Sequence, residues 1–403
     1  MKFILSLLFF TTLLFAQTKP LIMKHADSLS VTKRSGYLLL KGHVHFVHDS
    51  VQFKTMKATW NRNSDIVQCE GNFLFTHPDG SIQAKSGIYQ KRIEFAAASG
   101  NVIARDSAGS YAFFGERLQY DRKKKILIMP TKPLLHHYAE NQKDSTKKDT
   151  LSIRAEWISY HQNEEYAEAF RNVVLTHNGM TVTCDTGYFN KKENWLSMKG
   201  NPKCVLENHE LSGDSIFLKL SPDNKSLKSA LVIRNAHGIQ KEPPKKRKPG
   251  THTEAFGDTL YAEFDGKKLS KLYVNLNAHG FFYEDDLPDY KNLMEGVRLD
   301  LSFQSGKMKK AVVTGNAKST YFYVKKNRTV AGQNVATGDT IHIDFSPEKN
   351  QVKQLKVRGA KNPSSGRYIN LDKETAKSTE KDSLLTTNNL KDSVQVRKEK
   401  GVK

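Results

Sequence analysis

Cys69-Glu-Gly-Asn-Phe-Leu-Phe75, followed by Ile82-Gln-Ala-Lys-Ser-Gly-Ile-Tyr89, holds both of the signals that decide this fold. Gly71-Asn72-Phe73 is one copy of a Gly-Asn/His-apolar triplet. The triplet is also found at Gly42-His43-Val44 and Gly100-Asn101-Val102, and in looser form at Arg171-Asn172-Val173, Gly200-Asn201-Pro202 and Gly315-Asn316-Ala317. Ala84, Gly87 and Tyr89 belong to a second pattern: a small residue, then apolar residues three and five positions on. That pattern returns at Gly115/Leu118/Tyr120, Ala155/Ile158/Tyr160, Cys184/Gly187/Phe189, Gly213/Ile216/Leu218, Gly296/Leu299/Leu301 and Gly338/Ile341/Ile343. Gly42, Gly71 and Gly100 are 29 residues apart, as are Arg171 and Gly200. A period of that length is the mark of one supersecondary unit stacked on its neighbours.

Around these motifs apolar and polar side chains alternate, as in Thr181-Val-Thr-Cys184 and Asp339-Thr-Ile-His-Ile-Asp-Phe345, which is the period of a half-buried strand. The expected fold is all-β with antiparallel strands. Ile82, Phe113, Ile153, Val182 and Leu211 lie two residues before the small residue and share its face. The next apolar position is three residues on, which changes parity. If both stretches face the core, the strand bends there and a small residue relieves the crowding.

Polar stretches set the expected boundaries. Residues 136–150 read as a linker between a first unit, 19–135, and a continued or second unit, 151–361, with a loop at 240–253. Residues 362–403 are rich in Ser, Thr, Lys, Glu, Asp and Asn and read as a disordered tail. Residues 1–16 read as a secretory signal, with Lys2 before an apolar run and Ala16 before the cut. No Cys follows that run, so an exported, unanchored protein is expected. No later stretch approaches the ~18 apolar residues of a spanning helix.

The formal charge of +21 calls for an anionic partner, and export replaces nucleic acid on that list with lipid phosphates and acidic glycans. Three cysteines, Cys69, Cys184 and Cys204, are too few for a disulfide scaffold, and a Cys184–Cys204 bridge stays open. His43, His45 and His48 lack an acidic or Cys partner at metal-ligand spacing. Glu284-Asp285-Asp286 with Asp289 is interrupted by Leu287-Pro288. No metal or cofactor is expected. The chain has no Gly-x-Ser-x-Gly elbow, His-Glu-x-x-His or phosphate-cradling glycine loop, and no enzyme is expected.

Leu40-Lys-Gly-His-Val-His-Phe46, Phe53-Lys-Thr-Met-Lys-Ala58, the two segments quoted first and Ala98-Ser-Gly-Asn-Val-Ile-Ala104 together resemble the OstA-like (organic solvent tolerance) domain of LptA-type periplasmic lipopolysaccharide-transport proteins. The likeness is best over 21–133, fair over 151–205 and loose over 255–359. It implies an elongated, twisted β-jellyroll of V-shaped cross-section that holds the acyl chains of lipopolysaccharide and pairs end to end with other bridge components or with itself. The implied location is the periplasm, between inner- and outer-membrane complexes. This chain departs from the family's simplest member in having roughly twice the repeats and a charged tail. On this reading the groove candidates are Ile82, Ala84, Phe113, Leu118, Ile153, Ile158, Val182, Phe189, Leu211 and Ile216, and the C-terminal partner edge is at Ile341 and Ile343. Two alternatives remain open: a closed structural or adhesive β-solenoid that binds nothing, and a glycan-active β-helix.

Overall fold

The structure, a computed structural model, describes residues 19–31, 36–140, 148–222, 226–244, 249–346, 351–359 and 363–371. These form twenty-six strands and one short 3-10 turn at Lys91–Ile93. The expected all-β class is what the chain adopts, and the described strand pairings are antiparallel. The described residues divide into two compact units, Met1–Tyr138 with Trp157–Asn163, and Ala139–Glu156 with Glu164–Lys403.

In chain order the strands begin with β1 (Ile22–His25), β2 (Ser28–Val31), β3 (Tyr37–His48), β4 (Val51–Asn61), β5 (Ile66–His77) and β6 (Gly80–Gln90). Then come β7 (Phe95–Asp106), β8 (Tyr111–Asp121), β9 (Ile126–Met129) and β10 (Leu134–Glu140). β11 (Lys148–Arg154) belongs to the second unit and β12 (Trp157–His161) to the first. The second unit continues with β13 (Tyr166–His177), β14 (Met180–Asn190), β15 (Trp195–Lys199), β16 (Lys203–Leu206), β17 (His209–Ser212), β18 (Ser215–Leu220) and β19 (Leu227–Glu242). It ends with β20 (Thr251–Asp265), β21 (Lys268–Glu284), β22 (Asn292–Gln304), β23 (Lys307–Val324), β24 (Val330–Ser346), β25 (Gln351–Arg358) and β26 (Ser365–Asn370).

Three expected boundaries shift. β10 and β11 occupy both ends of the 136–150 segment, and β19 and β20 narrow the 240–253 loop. The start of the tail moves beyond Asn362, because Ser365–Asn370 pairs with Gly332–Thr337. The expected signal segment and the tail after Leu371 lie outside the described residues.

The long strands bend, and in β3, β5 and β7 the bend lies at the Gly-Asn/His triplet. Gly42 and His43, Gly71 and Asn72, and Gly100 and Asn101 all have positive φ, between 45° and 83°. The ladder shifts register at each pair, between Lys41 and Val44, Glu70 and Phe73, and Ser99 and Val102. Two consecutive left-handed residues form a bulged corner, and glycine takes the first place because it has no Cβ to clash. A polar neighbour often caps the second place: His43 Nδ1 lies 2.9 Å from Asp27, and Asn172 and Asn235 donate to Glu156 and Asp214 at 2.7 and 2.9 Å.

The small residues of the second motif sit opposite the residue that follows the corner. Ala84 faces Phe73, Gly115 faces Val102, Cys184 faces Val173, Gly296 faces Ala278 and Gly338 faces Ala317. A Cβ at Gly296 would stand 2.7 Å from Val313 Cγ1 and 2.9 Å from the Thr314 carbonyl. The small side chain is therefore the space into which the next bent strand fits.

The corner also forms where the sequence lacks glycine. Arg234 and Asn235, and Leu276 and Asn277, take the same positive φ at the register shifts between Ile233 and Ala236 and between Asn275 and Ala278. Leu276 is also 55% exposed. A left-handed residue costs about 1–2 kcal/mol, and part of that gain is offset by the larger backbone entropy glycine loses on folding. Leu276→Gly is therefore expected to stabilise the second unit by about 0.5–1 kcal/mol in urea titrations. A loss of stability would show that the corner carries no strain there.

Because the long strands bend, each unit consists of two half-sheets whose inner faces meet. In the first unit Phe46 of one half packs edge-on against Trp60 of the other at 5.4 Å, and Phe53 and Phe75 contact Tyr89 at 5.2 and 5.9 Å. Phe46, Phe53, Phe73, Phe75 and Tyr89 are fully buried. Burial on this scale is worth about 1.5–3 kcal/mol for each large apolar side chain.

Candidate functional site

The two half-sheets of the first unit join at the corners and part at the opposite side, where their hairpin turns face each other. At that mouth lies a cavity of about 50 Å³, partly open to solvent. Phe75, Ile82 and Phe113 line it from one half-sheet, and Tyr120, Leu127 and Tyr160 from the other. The strand period points these residues inward. Their walls are mostly apolar, suited to an alkyl chain rather than to a charged group.

Polar groups bridge the mouth. Arg122, just after β8, donates to Asp49 at 2.8 Å and to Ser50 at 3.1 Å across the mouth, and it also bonds Glu94 on its own side. Its Nε lies 3.3 Å from His77 Nε2, and His77 is one of the cavity's lining residues. Lys125 reaches Asp79 at 3.4 Å, also across the mouth. Deeper in, His48 Nδ1 and Tyr89 Oη are 2.6 Å apart. Burial holds His48 and His77 below the usual imidazole pKa, so both are neutral near pH 7. Burial likewise raises the Tyr120 phenol to about 12. Arg122 is thus a half-buried positive charge at the mouth, balanced by Asp49 and Glu94.

The structure brings two of the expected groove residues, Ile82 and Phe113, to this cavity. Ala84 is half-buried beside the corner, while Leu118 and Ile158 are fully buried in the second half-sheet of the same unit. Ile153, Val182, Phe189 and Ile216 are packed in the core of the second unit. Leu211 lines a smaller cavity there, of about 20 Å³.

The expected partner edge at Ile341 and Ile343 requires correction. Both side chains are buried, and both residues lie on β24 between two strands, opposite Val313 and Ala311 on one side and Val357 and Leu355 on the other. Among the described residues the outer strands are β25 and β26, which pair with β24. In the first unit β1 and β2 pair with the two halves of β3.

No protein-family model and no curated protein matches the chain. Among solved structures it is similar to the crystal structure of LptH, the LptA homologous periplasmic component of the conserved lipopolysaccharide transport device from Pseudomonas aeruginosa. Identity is 17%, the match covers 34% of this chain and 82% of that one, and the TM-score is 0.26.

Tyr111, Tyr120, Tyr160 and Arg122 were missed as site residues. Tyr89, Tyr120 and Tyr160 share the last position of the second motif, and that recurrence was the available signal: tyrosine places an apolar ring inward and a polar tip at the water's edge. Arg122 gives no sequence signal, because its partners Asp49 and His77 are 73 and 45 residues away.

The three thiols are buried and unbonded. Cys204 pairs with Val182, off register from Cys184, and burial raises both thiols to about 12. Among the described residues no group of three or more His, Cys, Asp or Glu is placed to hold a metal. His43, His45 and His48 go to three different partners, Asp27, Gln52 and Tyr89. Glu284 and Asp286 bind Arg328, and Asp285 pairs with His252 at 3.0 Å.

Proposed function

We propose that this protein is a periplasmic carrier that holds the acyl chains of lipopolysaccharide between its half-sheets and passes them along a bridge of edge-paired neighbours. The observation that carries the reading is the apolar cavity at the mouth of the first unit, beneath Arg122 and Lys125. An alkyl chain gains about 0.8 kcal/mol for each CH2 removed from water, and a lipid phosphate at the rim would meet Arg105, Arg122 and Lys125. Such charge-assisted contacts weaken with salt.

The outer strands of each unit support the second part of the reading. β1 and β2 in the first unit, and β25 and β26 in the second, are strands that a neighbouring sheet can extend. Leu29 and Val31 on β2 are 46% and 60% exposed, the surface such a neighbour would cover. Other bridge components and a second copy of the chain are both suitable partners.

The filled aromatic interior around Phe53 and Tyr89 favours a second reading, a closed scaffold that binds nothing. Mass spectrometry of lipid carried through mild purification separates the two. The carrier brings down lipopolysaccharide at stoichiometric level, whereas a scaffold emerges free of it.

A further inference from the structure

The second unit holds a roomier cavity than either described above, of about 200 Å³. A water molecule needs about 10–15 Å³ of such space, so the cavity has room for a ring rather than for a single water. Phe282 and Glu284 of β21, Asn292 of β22, Tyr321 and Tyr323 of β23 and Val352 of β25 line it. The turns between β21 and β22 and between β23 and β24 add Tyr290, Lys325, Lys326 and Arg328. This wall is aromatic, hydrogen-bonding and cationic at once, unlike the apolar mouth of the first unit.

The polar groups are held in place. Arg328 donates to Asp286 through Nε at 2.9 Å and through a terminal nitrogen at 2.6 Å, and it pairs with Glu284 as well. It thereby ties one turn to the other. Asn292 Oδ1 accepts from the Phe322 N–H at 2.8 Å and Nδ2 donates to the Phe282 carbonyl at 3.1 Å; the amide is fixed, and a second N–H remains on Nδ2. Tyr321 Oη accepts from the Val352 N–H at 3.3 Å, so its own proton can be donated to a ligand. Tyr290 meets Phe322 edge-on at 5.3 Å. Tyr290 and Tyr323 are 37% and 58% exposed, and Lys326 is exposed with no ion-pair partner among the described residues.

An alkyl chain would cover Glu284, Asn292 and Tyr321 without meeting their hydrogen bonds. A bare inorganic anion would satisfy Lys326 and leave the tyrosine rings idle. A sugar ring with one acidic group uses the whole wall: its C–H face lies on a tyrosine, its hydroxyls accept from Asn292 and Tyr321 and donate to Glu284, and its anion meets Lys326. With three cations against one carboxylate, itself paired to Arg328, the lining favours negative charge. We propose that this cavity is a subsite for an anionic sugar, a single ring carrying a carboxylate or phosphate. It is smaller than the ~300–1,000 Å³ of pockets that enclose a whole small molecule, so the rest of a larger saccharide lies outside it. A free acidic glycan and the sugar head of a lipid share this chemistry, and the site does not depend on where acyl chains bind.

The test uses the full chain at low salt and two pairs of probes: glucuronate against glucose, and octyl glucuronide against octyl glucoside below their micellar concentrations. NMR titration is followed at the Tyr323 ring. The acidic member should bind about tenfold tighter than the neutral one in at least one pair. Preference in the free pair assigns the site to a glycan; preference confined to the octyl pair assigns it to a lipid-borne head. Lys326→Gln should erase the preference for the acid, and Tyr323→Ala should weaken both members of the pair. Equal affinity for acidic and neutral sugars, no shift with any probe, or binding unchanged in both variants would overturn the site. The carrier reading would then stand or fall on its own lipid measurement.

Discussion

Phe53→Ala is expected to destabilise the first unit by about 3–5 kcal/mol, the cost of emptying a fully buried aromatic site. Phe53 stacks on Phe46 at 5.0 Å and touches Tyr89 and Phe73 at 5.2 and 6.4 Å. It thus joins one half-sheet to the other. The surrounding strands are held by ladder hydrogen bonds on both sides and have little freedom to collapse into the gap. A loss of that size is a large share of the 5–15 kcal/mol that typically separates a native domain from its unfolded state. Urea unfolding followed through Trp60, which packs on Phe46, reads the loss. Tyr323→Ala, at a side chain 58% exposed, should change stability by less than about 0.5 kcal/mol. If Phe53→Ala costs under 1 kcal/mol, the half-sheets do not close on one another as described.

Ile341→Pro should prevent the C-terminal strands of the second unit from forming. Ile341 is fully buried between β23 and β25. Proline there removes a backbone donor and introduces a ring into a strand with neighbours on both sides, a place where proline is essentially never found. Protection from hydrogen exchange should vanish across β23, β24, β25 and β26. Lys356→Pro on the outer strand β25, exposed and opposite His342, should leave β23 protected. Wild-type protection in Ile341→Pro would mean that β24 is an edge after all. On the proposed bridge reading, a docking surface at this end would lie on β25 and β26, the strands outside β24.

The period of the corners was legible because a left-handed pair imposes a steric rule, and Gly-Asn meets it at the least strain. The rule is permissive at its first position. Arg234-Asn235 and Leu276-Asn277 make the same corner and pass unnoticed in a search for glycine; asparagine is what those two corners keep in common with Gly71-Asn72. β26 escaped notice for a different reason. Ser365-Gly-Arg-Tyr-Ile-Asn370 shows no clean alternation and its first four residues are exposed, since an outer strand is held through its backbone against β24. The inward faces of Ile82 and Phe113 followed from parity alone. The mouth did not, because Arg122, Asp49, His77 and Glu94 meet only after the strands bend and stack.

The central claim is that lipid occupies the space between the half-sheets, and in vivo photo-crosslinking tests it most directly. A crosslinking residue at Ile82 or Phe113, both on the cavity wall, should capture lipopolysaccharide. The same residue at Lys85, exposed on the outside of the corner, should not. Equal labelling at all three positions, or none at Ile82 and Phe113 in a folded protein, would contradict the account.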